Sequence, residues 1–176
     1  MKAHATALVD PGADVADDVE IGPFCIIGAG ARISPGCRLG PRVSVRGPAV
    51  IGRDNVLHAN VSVDESAVLG DANILRESTH VQSKARIGSR NRFGVWVTIG
   101  AAATVADDTL LGSFVIVAEN CTLASNARIE GQTVLEPGMN IGAGARIRSQ
   151  VPVIADVAPS VVLDGNPAEA QAGGAA

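Results

Sequence analysis

The chain has 176 residues, enough for one domain or a short repeat array but too few for two enzyme-sized halves. Its 14 Lys and Arg against 18 Asp and Glu give a formal charge of −4, and three Phe, one Trp and no Tyr offer little to stack on bases, so we expect no nucleic-acid partner. No apolar run approaches the roughly 18 residues that span a bilayer, and the first residues lack the apolar core of an export signal, which predicts a cytoplasmic protein without a membrane span.

Residues 1–6 form a lead-in to a six-residue repeat that fills most of the chain. Stepping by six from Val9 to Val153 gives 25 consecutive positions that hold a large aliphatic residue or, once, Phe93. The residue two places earlier is mostly Ala, Val, Cys, Thr or Asn. Residues two apart on a strand face the same side, so each repeat predicts one large and one small inward side chain. Gly follows ten of the 25 large residues, which suits a chain that bends sharply after each short strand.

The six-residue repeat lies within a period of eighteen. One phase, from Val9 to Val117, contains only β-branched residues, and another, from Leu39 to Leu111, contains only residues unbranched at Cβ. Three strands per coil would stack like residues on like. The sequence therefore predicts an all-β fold, a triangular parallel β-helix of a little over eight coils over residues 7–158. Residues 159–176 are predicted to be a C-terminal extension, partly disordered because it is rich in Ala, Gly and Pro.

Residues eighteen apart lie above one another, so the inward positions form columns. Three cysteines occupy small inward positions, which indicates buried structural thiols rather than nucleophiles or a disulfide. Three asparagines share one inward column, which predicts a ladder of amides that bond the backbone at a corner. These residues are Cys25, Cys37, Cys121, Asn55, Asn73 and Asn91.

The outward columns contain few residues suited to chemistry. Phe24, Trp96 and Phe114 share a column, which favours a protein interface over a ligand-stacking surface. His80 faces outward between Ser62 and Thr98, which we expect to fix its tautomer. His4 and His58 are interpreted as solvated side chains, and the histidine spacing predicts no metal site. Arg46 lies under Asp64, which predicts a surface ion pair.

The hexapeptide pattern resembles the left-handed β-helix superfamily of acyl- and acetyltransferases. The opening HATALVDPGADVADDVEIGPFCIIGAGARI (residues 4–33) closely resembles that of the UDP-N-acetylglucosamine O-acyltransferases of lipid A synthesis. IGRDN (51–55), ILRES (74–78), IGSRNR (87–92) and DVAPSVVLDGNPAE (156–169) are similar to further parts of those enzymes. The resemblance covers about residues 3–169. It implies left-handed coiling and a homotrimer whose active sites lie between neighbouring subunits, and such an interface would cover the exposed column of Trp96 and Phe114.

The resemblance also shows where this sequence departs from the family. Family members carry a histidine pair in an Asn-Ala-His-x-x-His pattern, the second being the general base. Those two positions fall on Thr98 and Ala101 here, and a further family histidine falls on Asn126. A methyl group cannot accept a proton from a sugar hydroxyl. The extruded loops and C-terminal helical domain of the family have no counterpart in this sequence.

Three functions are consistent with these patterns. The first is a divergent acyl- or acetyltransferase that acts on a nucleotide-linked sugar, with an acyl carrier protein or coenzyme A thioester as co-substrate and no bound cofactor. His80 would then be the base or the group that orients the acceptor, and the Gly100 N–H would stabilise the oxyanion. The second is a metal protein similar to γ-class carbonic anhydrases, without their ligand set. The third is a non-catalytic scaffold or assembly subunit that has lost the family's active site.

Overall fold

The computed structural model describes residues 1–165 and the backbone of residues 169–172. Twenty-five strands of two residues each follow one another at six-residue intervals, and two longer strands follow them. In chain order they are β1 (Lys2–Ala3), β2 (Leu8–Val9), β3 (Asp14–Val15), β4 (Glu20–Ile21), β5 (Ile26–Ile27), β6 (Arg32–Ile33), β7 (Arg38–Leu39), β8 (Ser44–Val45), β9 (Val50–Ile51), β10 (Val56–Leu57), β11 (Ser62–Val63), β12 (Val68–Leu69), β13 (Ile74–Leu75), β14 (His80–Val81), β15 (Arg86–Ile87), β16 (Arg92–Phe93), β17 (Thr98–Ile99), β18 (Thr104–Val105), β19 (Leu110–Leu111), β20 (Ile116–Val117), β21 (Thr122–Leu123), β22 (Arg128–Ile129), β23 (Val134–Leu135), β24 (Asn140–Ile141), β25 (Arg146–Ile147), β26 (Val161–Asp164) and β27 (Glu169–Ala172).

The short strands form three parallel sheets that are the three faces of a prism. Sheet A takes every third strand from β1 to β25, sheet B takes those from β2 to β23, and sheet C those from β3 to β24. Each strand pairs with the strand eighteen residues later, as Ser62 does with His80 and His80 with Thr98. The described residues contain no helix, and hence none that could cross a membrane. The predicted parallel β-helix is confirmed.

The core is the predicted column of inward side chains. Of the 25 large positions from Val9 to Val153, 23 are buried, including Ile87 and Leu111. Val9 and Val15 are half-buried because they lie in the open first coil. Each buried aliphatic side chain contributes about 1.5–3 kcal/mol of transfer free energy before chain entropy is subtracted. The repeated burial of one large and one small residue makes the prism continuous from end to end.

The chain turns at the corners through residues with positive φ. Eighteen non-glycine residues have φ between 56° and 65°, almost all of them at corners of the prism. The glycines that follow the large inward residues serve another purpose than the bend that we predicted for them. A Cβ at Gly70 would lie 2.7 Å from the carbonyl oxygen of Gly88 on the next coil. These glycines are therefore required because adjacent coils approach closely.

The predicted amide ladder is present at the inner corner between sheets C and A. The Asn55 Oδ1 accepts a hydrogen bond from the Asn73 N–H at 2.9 Å, and the Asn73 Oδ1 accepts one from the Asn91 N–H at 2.9 Å. The Asn91 Oδ1 accepts from the Thr109 N–H at 2.7 Å. The Asn73 Nδ2 donates to the Gly88 carbonyl at 2.9 Å, whereas the buried Asn91 Nδ2 has no partner among the described residues.

All three cysteines are buried and carry free thiols, as predicted. Each sulfur donates to a backbone carbonyl of the next coil, at 3.1 Å for Cys25, 3.0 Å for Cys37 and 3.1 Å for Cys121. Burial raises the pKa of each thiol above its usual value, although backbone hydrogen bonds oppose that shift. A thiol with a raised pKa is a poor nucleophile at neutral pH, which agrees with a structural role.

The two ends of the repeat differ from the predicted boundaries. The first coil begins at Lys2 rather than Ala7, because Lys2–Ala3 already pairs with Glu20–Ile21. In the C-terminal extension, β26 continues sheet A beside β25 and then pairs with β27 in an antiparallel hairpin. The sequence did not predict this hairpin. Residues 166–168 and 173–176 of the extension lie outside the described residues.

Candidate functional site

The outer face of sheet B is polar in its middle and apolar at both ends. Side chains at the first position of each strand point outward, since the second position is committed to the core. From one end to the other these outward residues are Leu8, Ile26, Ser44, Ser62, His80, Thr98, Ile116 and Val134. The one titratable side chain among these eight is that of His80. The predicted base therefore lies at the centre of a sheet face, on strand β14.

His80 forms a hydrogen-bonded pair with a carboxylate. Its Nε2 lies 2.9 Å from Oδ2 of Asp64, which follows strand β11 on the coil below. The other carboxylate oxygen lies 3.4 Å from Nη1 of Arg46, which confirms the predicted ion pair. The Asp64 side chain is only 15% exposed, whereas that of His80 is 40% exposed. A half-exposed imidazole held by a nearly buried carboxylate is well placed to exchange protons with a bound molecule.

The tautomer of His80 is fixed differently from our prediction. Ser62 and Thr98 flank His80 in register, but the described hydrogen bond of the ring goes to Asp64 instead. An ionised carboxylate can only accept, so Nε2 of a neutral His80 carries the proton and Nδ1 has the free lone pair. Sequence spacing missed this pair because Asp64 lies sixteen residues before His80, two short of a full coil, and reaches it diagonally.

The positions of the family's histidine pair lie on the coil above His80. Thr98 is the in-register neighbour of His80 on β17, and Ala101 follows at the corner between sheets B and C. The Ala101 N–H donates to Oε1 of Gln82 at 3.0 Å. Asn126 lies elsewhere, on the corner between sheets C and A, with φ of 62°. Thr98 thus lies beside His80, and Ala101 bonds to Gln82 two residues after His80, whereas Asn126 lies at a different corner.

Gly100 does not fit the role that we predicted for it. Its N–H donates to the carbonyl of Val117 at 2.7 Å as part of the ladder between coils, and the residue is buried. An oxyanion hole needs a donor that is free and exposed to the substrate. The Gly100 N–H is therefore unsuited to stabilise an oxyanion.

The predicted aromatic column is exposed on the corner between sheets A and B. Phe24, Trp96 and Phe114 are 58%, 61% and 53% exposed. All three have positive φ, and the Trp96 N–H donates to the Glu77 carbonyl on the coil below, which fixes the corner. Their backbone conformation thus points large apolar side chains into solvent beside the face that carries His80.

The surface of the described residues has two grooves on sheet A and a third, of about 390 Å³, at the Leu8 end of sheet B, away from His80. One has a volume of about 580 Å³ and is lined by Arg38, His58 and Glu77 among others, and a second of about 380 Å³ shares His58. Sequence reasoning treated His58 as a solvated side chain, but its Nδ1 lies 3.2 Å from Oε1 of Glu77. The pKa of Glu77 is lowered, mainly because its carboxylate accepts a hydrogen bond from the Glu77 backbone N–H. The nearby His58 and Arg76 lower this pKa further. His80 lines none of these three grooves, so a molecule bound to it would need a second surface to enclose it.

These features define the class of the molecule as a parallel β-helix with an exposed His–Asp pair on one face. No protein-family profile and no curated protein sequence matches the chain. Solved structures match nearly all of it. A UDP-N-acetylglucosamine acyltransferase from Bacteroides fragilis superposes with a TM-score of 0.91 at 18% identity, over 96% of this chain and 73% of that one.

Two further solved structures of this type are similar. The UDP-N-acetylglucosamine acyltransferase of Francisella novicida has 25% identity and a TM-score of 0.90, over 96% of this chain and 68% of that one. The enzyme from Arabidopsis has 20% identity and a TM-score of 0.65, over 97% of this chain and 73% of that one. The predicted resemblance to these acyltransferases is thus confirmed at the level of the fold, which is the left-handed parallel β-helix.

Proposed function

We propose that this protein is an acyltransferase of the β-helix type, which transfers an acyl or acetyl group from a thioester to a nucleotide-linked sugar. The observation that carries the proposal is the 2.9 Å contact between His80 and Asp64. This pair lies on the same face as Thr98, one of the two positions at which the acyltransferases that the chain resembles keep their histidines. His80, one coil below, takes the place of the general base, whose position in those acyltransferases is occupied by Ala101 in this chain.

The reaction follows from the arrangement of the pair. Nδ1 of His80 accepts the proton of the acceptor hydroxyl or amine while the acceptor's lone pair attacks the thioester carbonyl. The tetrahedral intermediate then collapses, the carbon–sulfur bond breaks, and the imidazolium returns the proton to the departing thiolate. Asp64 holds Nε2–H and stabilises the imidazolium, and Arg46 orients the carboxylate. The donor is the thioester of an acyl carrier protein or of coenzyme A.

The oxyanion requires a donor other than Gly100. Oε1 of Gln82 accepts from the Ala101 N–H, which leaves the two donor hydrogens of Nε2 for a bound molecule. Gln82 follows strand β14, two residues after His80. We assign the oxyanion contact to this amide, because Gln82 lies two residues from the base and its Oε1 is held by the Ala101 N–H.

The site also requires a second subunit. His80 lies on an open sheet face, and reactions of thioesters with sugars need water to be excluded. The apolar ends of sheet B and the Trp96 and Phe114 side chains beside it would be covered if neighbouring prisms packed there. We propose a homotrimer with three sites, each completed by an adjacent subunit.

A specific observation favours a second candidate function. Ala101 occupies the position of the general base, and the repeat runs unbroken through residues 7–153 without an inserted loop to hold a donor. A prism of this kind that bound neither substrate would be a scaffold or assembly subunit. The two functions make opposite predictions for ligand binding and for the effect of removing His80.

The experiment compares thiol release by wild type, His80→Ala and His58→Ala with UDP-N-acetylglucosamine and an acyl-thioester. His58 is a matched control because it is also partly exposed and paired with a carboxylate. Loss of a general base lowers the rate by about 10²–10⁴-fold, so we expect that loss in His80→Ala only. Asp64→Asn should lower the rate without abolishing it. Ala101→His should raise turnover only if donor and acceptor still bind.

The scaffold function would be supported by two results. One is thiol release no faster than the uncatalysed background in wild type, His80→Ala and His58→Ala alike. The other is the absence of a thermal shift in wild type with either substrate. A ligand at about 100 times its Kd stabilises the folded state by about 2.7 kcal/mol, which a melting experiment detects readily.

A further inference from the structure

The outer face of sheet A is strongly basic although the protein is acidic. The outward residues of its short strands include five cations and one anion, a net charge of +4, against −4 for the whole chain. Sheet B has no Lys, Arg, Asp or Glu at these positions, and sheet C has a net charge of +1. The outward residues of the short strands of sheet A are Lys2, Glu20, Arg38, Val56, Ile74, Arg92, Leu110, Arg128 and Arg146.

Three of these arginines make no ion pair with a described residue. Arg92, Arg128 and Arg146 are exposed and have no carboxylate within 4.0 Å, in contrast to Arg90 and Arg148 at the corners nearby. Arg128 and Arg146 face each other directly in register on adjacent coils. Like charges in that relation destabilise a sheet, and more so when no opposite charge lies beside them. The face is therefore arranged to receive negative charge from another molecule.

The spacing of these charges matches an α-helix. Adjacent coils lie about 4.8 Å apart, so Arg128 and Arg146 are separated by about 5 Å, and Arg92 lies two coils, or about 10 Å, from Arg128. One turn of helix rises about 5.4 Å and two turns about 11 Å. Carboxylates at i, i+7 and i+11 of a helix that runs along the prism would meet the three arginines in turn. Leu110, 41% exposed, lies between Arg92 and Arg128 and lines the 380 Å³ groove with Ile74.

The negative charge along one edge of sheet A argues against a bilayer or a nucleic acid as the anion that binds there. The corner between sheets C and A carries six aspartates and two arginines, so it is net negative. A flat bilayer or a nucleic acid would bring its phosphates against that corner, whereas a helix about 10 Å wide fits within the basic column. The corner residues are Asp17, Asp18, Arg53, Asp54, Asp71, Arg90, Asp107 and Asp108.

We propose that sheet A is a docking surface for an acidic α-helix of a partner protein, which lies parallel to the prism axis along Arg92, Arg128 and Arg146. The carboxylates of the helix pair with these arginines, and an apolar side chain of the helix enters the groove beside Leu110. This surface is separate from His80 on sheet B. The inference therefore holds whether or not the protein is an acyltransferase.

The test uses a labelled helical peptide of about 20 residues with Glu at i, i+4, i+7 and i+11 on one face and one Leu between them. Binding is followed by fluorescence anisotropy at about 50 mM salt, where exposed charges are weakly screened. We expect wild type to bind this peptide at least about fivefold more tightly than an isomer with its Glu residues spread around the helix. We expect Arg128→Gln/Arg146→Gln to weaken binding at least about tenfold.

The matched control is Arg32→Gln/Arg86→Gln, which removes two exposed, outward arginines from sheet C and changes the net charge equally. We expect this variant to bind within about twofold of wild type. A charge exchange gives an independent check, because Arg128→Glu/Arg146→Glu should prefer a peptide with Lys in place of Glu. These measurements need no enzyme activity, so they are independent of the His80 experiment.

Three outcomes would overturn the proposal. The first is no binding of the Glu peptide by wild type. The second is equal weakening by the sheet A and sheet C variants, which would mean that only the net charge matters. The third is binding to vesicles of phosphatidylcholine with phosphatidylglycerol, lost in Arg128→Gln/Arg146→Gln, without binding to the peptide, which would assign the surface to a membrane.

Discussion

At the scale of the residue, the inward asparagines show how a buried polar group can be stable in an apolar prism. Asn73 uses both ends of its amide, since Oδ1 accepts from the Asn91 N–H and Nδ2 donates to the Gly88 carbonyl. Asn91 uses only Oδ1, because its Nδ2 has no partner among the described residues. A buried polar group without a hydrogen-bond partner costs about 1–3 kcal/mol, so Asn73 and Asn91 should contribute different amounts to the free energy of unfolding.

We predict that Asn73→Ala lowers the free energy of unfolding more than Asn91→Ala does. The first change leaves the Asn91 N–H and the Gly88 carbonyl without partners, whereas the second leaves only the Thr109 N–H and removes an unpaired donor. The expected loss is about 2–4 kcal/mol for Asn73→Ala and about 1–2 kcal/mol for Asn91→Ala. Urea denaturation at neutral pH measures both values. Equal losses of unfolding free energy would contradict the argument that the number of unpaired hydrogen-bonding groups sets the difference.

At the scale of the element, the fold depends on tight corners in which most residues with positive φ are not glycine. The left-handed conformation costs such a residue about 1–2 kcal/mol relative to the right-handed one. The hydrogen bond from the corner N–H to the coil below compensates, as the Ala72 N–H does to the Arg53 carbonyl at 2.8 Å. The corners therefore store backbone strain that packing of the coils holds in place.

We predict that Ala72→Gly stabilises the protein by about 1 kcal/mol, because the φ of 56° at Ala72 suits glycine. Ala72 is exposed, so the lost methyl group costs little packing. The control is Ala143→Gly, at an exposed corner residue without positive φ, which should destabilise by about 0.5–1 kcal/mol. Thermal melting of both variants checks the signs. A loss of stability in Ala72→Gly would contradict the strain argument.

At the scale of the whole molecule, the exposed apolar residues concentrate on one side of the prism. Ile116 and Val134 on sheet B are 44% and 45% exposed, and Trp96 and Phe114 lie on the adjoining corner. A contiguous exposed apolar surface of this kind usually marks a site of protein–protein interaction. The distribution supports packing through the edge between sheets A and B and through sheet B, and leaves the arginines of sheet A free.

We predict that wild type has a mass near three times 17.8 kDa by light scattering, and that Trp96→Asp shifts it toward the monomer. An aspartate in a buried interface would be desolvated without a partner, which weakens association strongly. Arg86→Asp on sheet C is the control and should leave the mass unchanged. A wild-type mass near 18 kDa would exclude the trimer.

The amino-acid sequence determined the architecture nearly completely. A period of six with a large residue at each step left one packing solution, and the in-register stacking at eighteen residues then placed His80 between Ser62 and Thr98, the cysteines inside and the aromatics outside. The reason is that contacts in a β-helix are nearly all between residues one coil apart, so the repeat alone specifies them. Handedness came from resemblance, because the spacing is the same for either hand.

Only the tertiary structure decided the contacts that break this regular spacing. The pairs of His80 with Asp64 and of His58 with Glu77 are diagonal, so they depend on side-chain conformation and not on register. The engaged N–H of Gly100 and the close approach of coils at Gly70 are properties of the backbone between coils, which a pattern of side chains does not encode. The hairpin of β26 and β27 lies beyond the last repeat, where periodicity no longer predicts which strands pair.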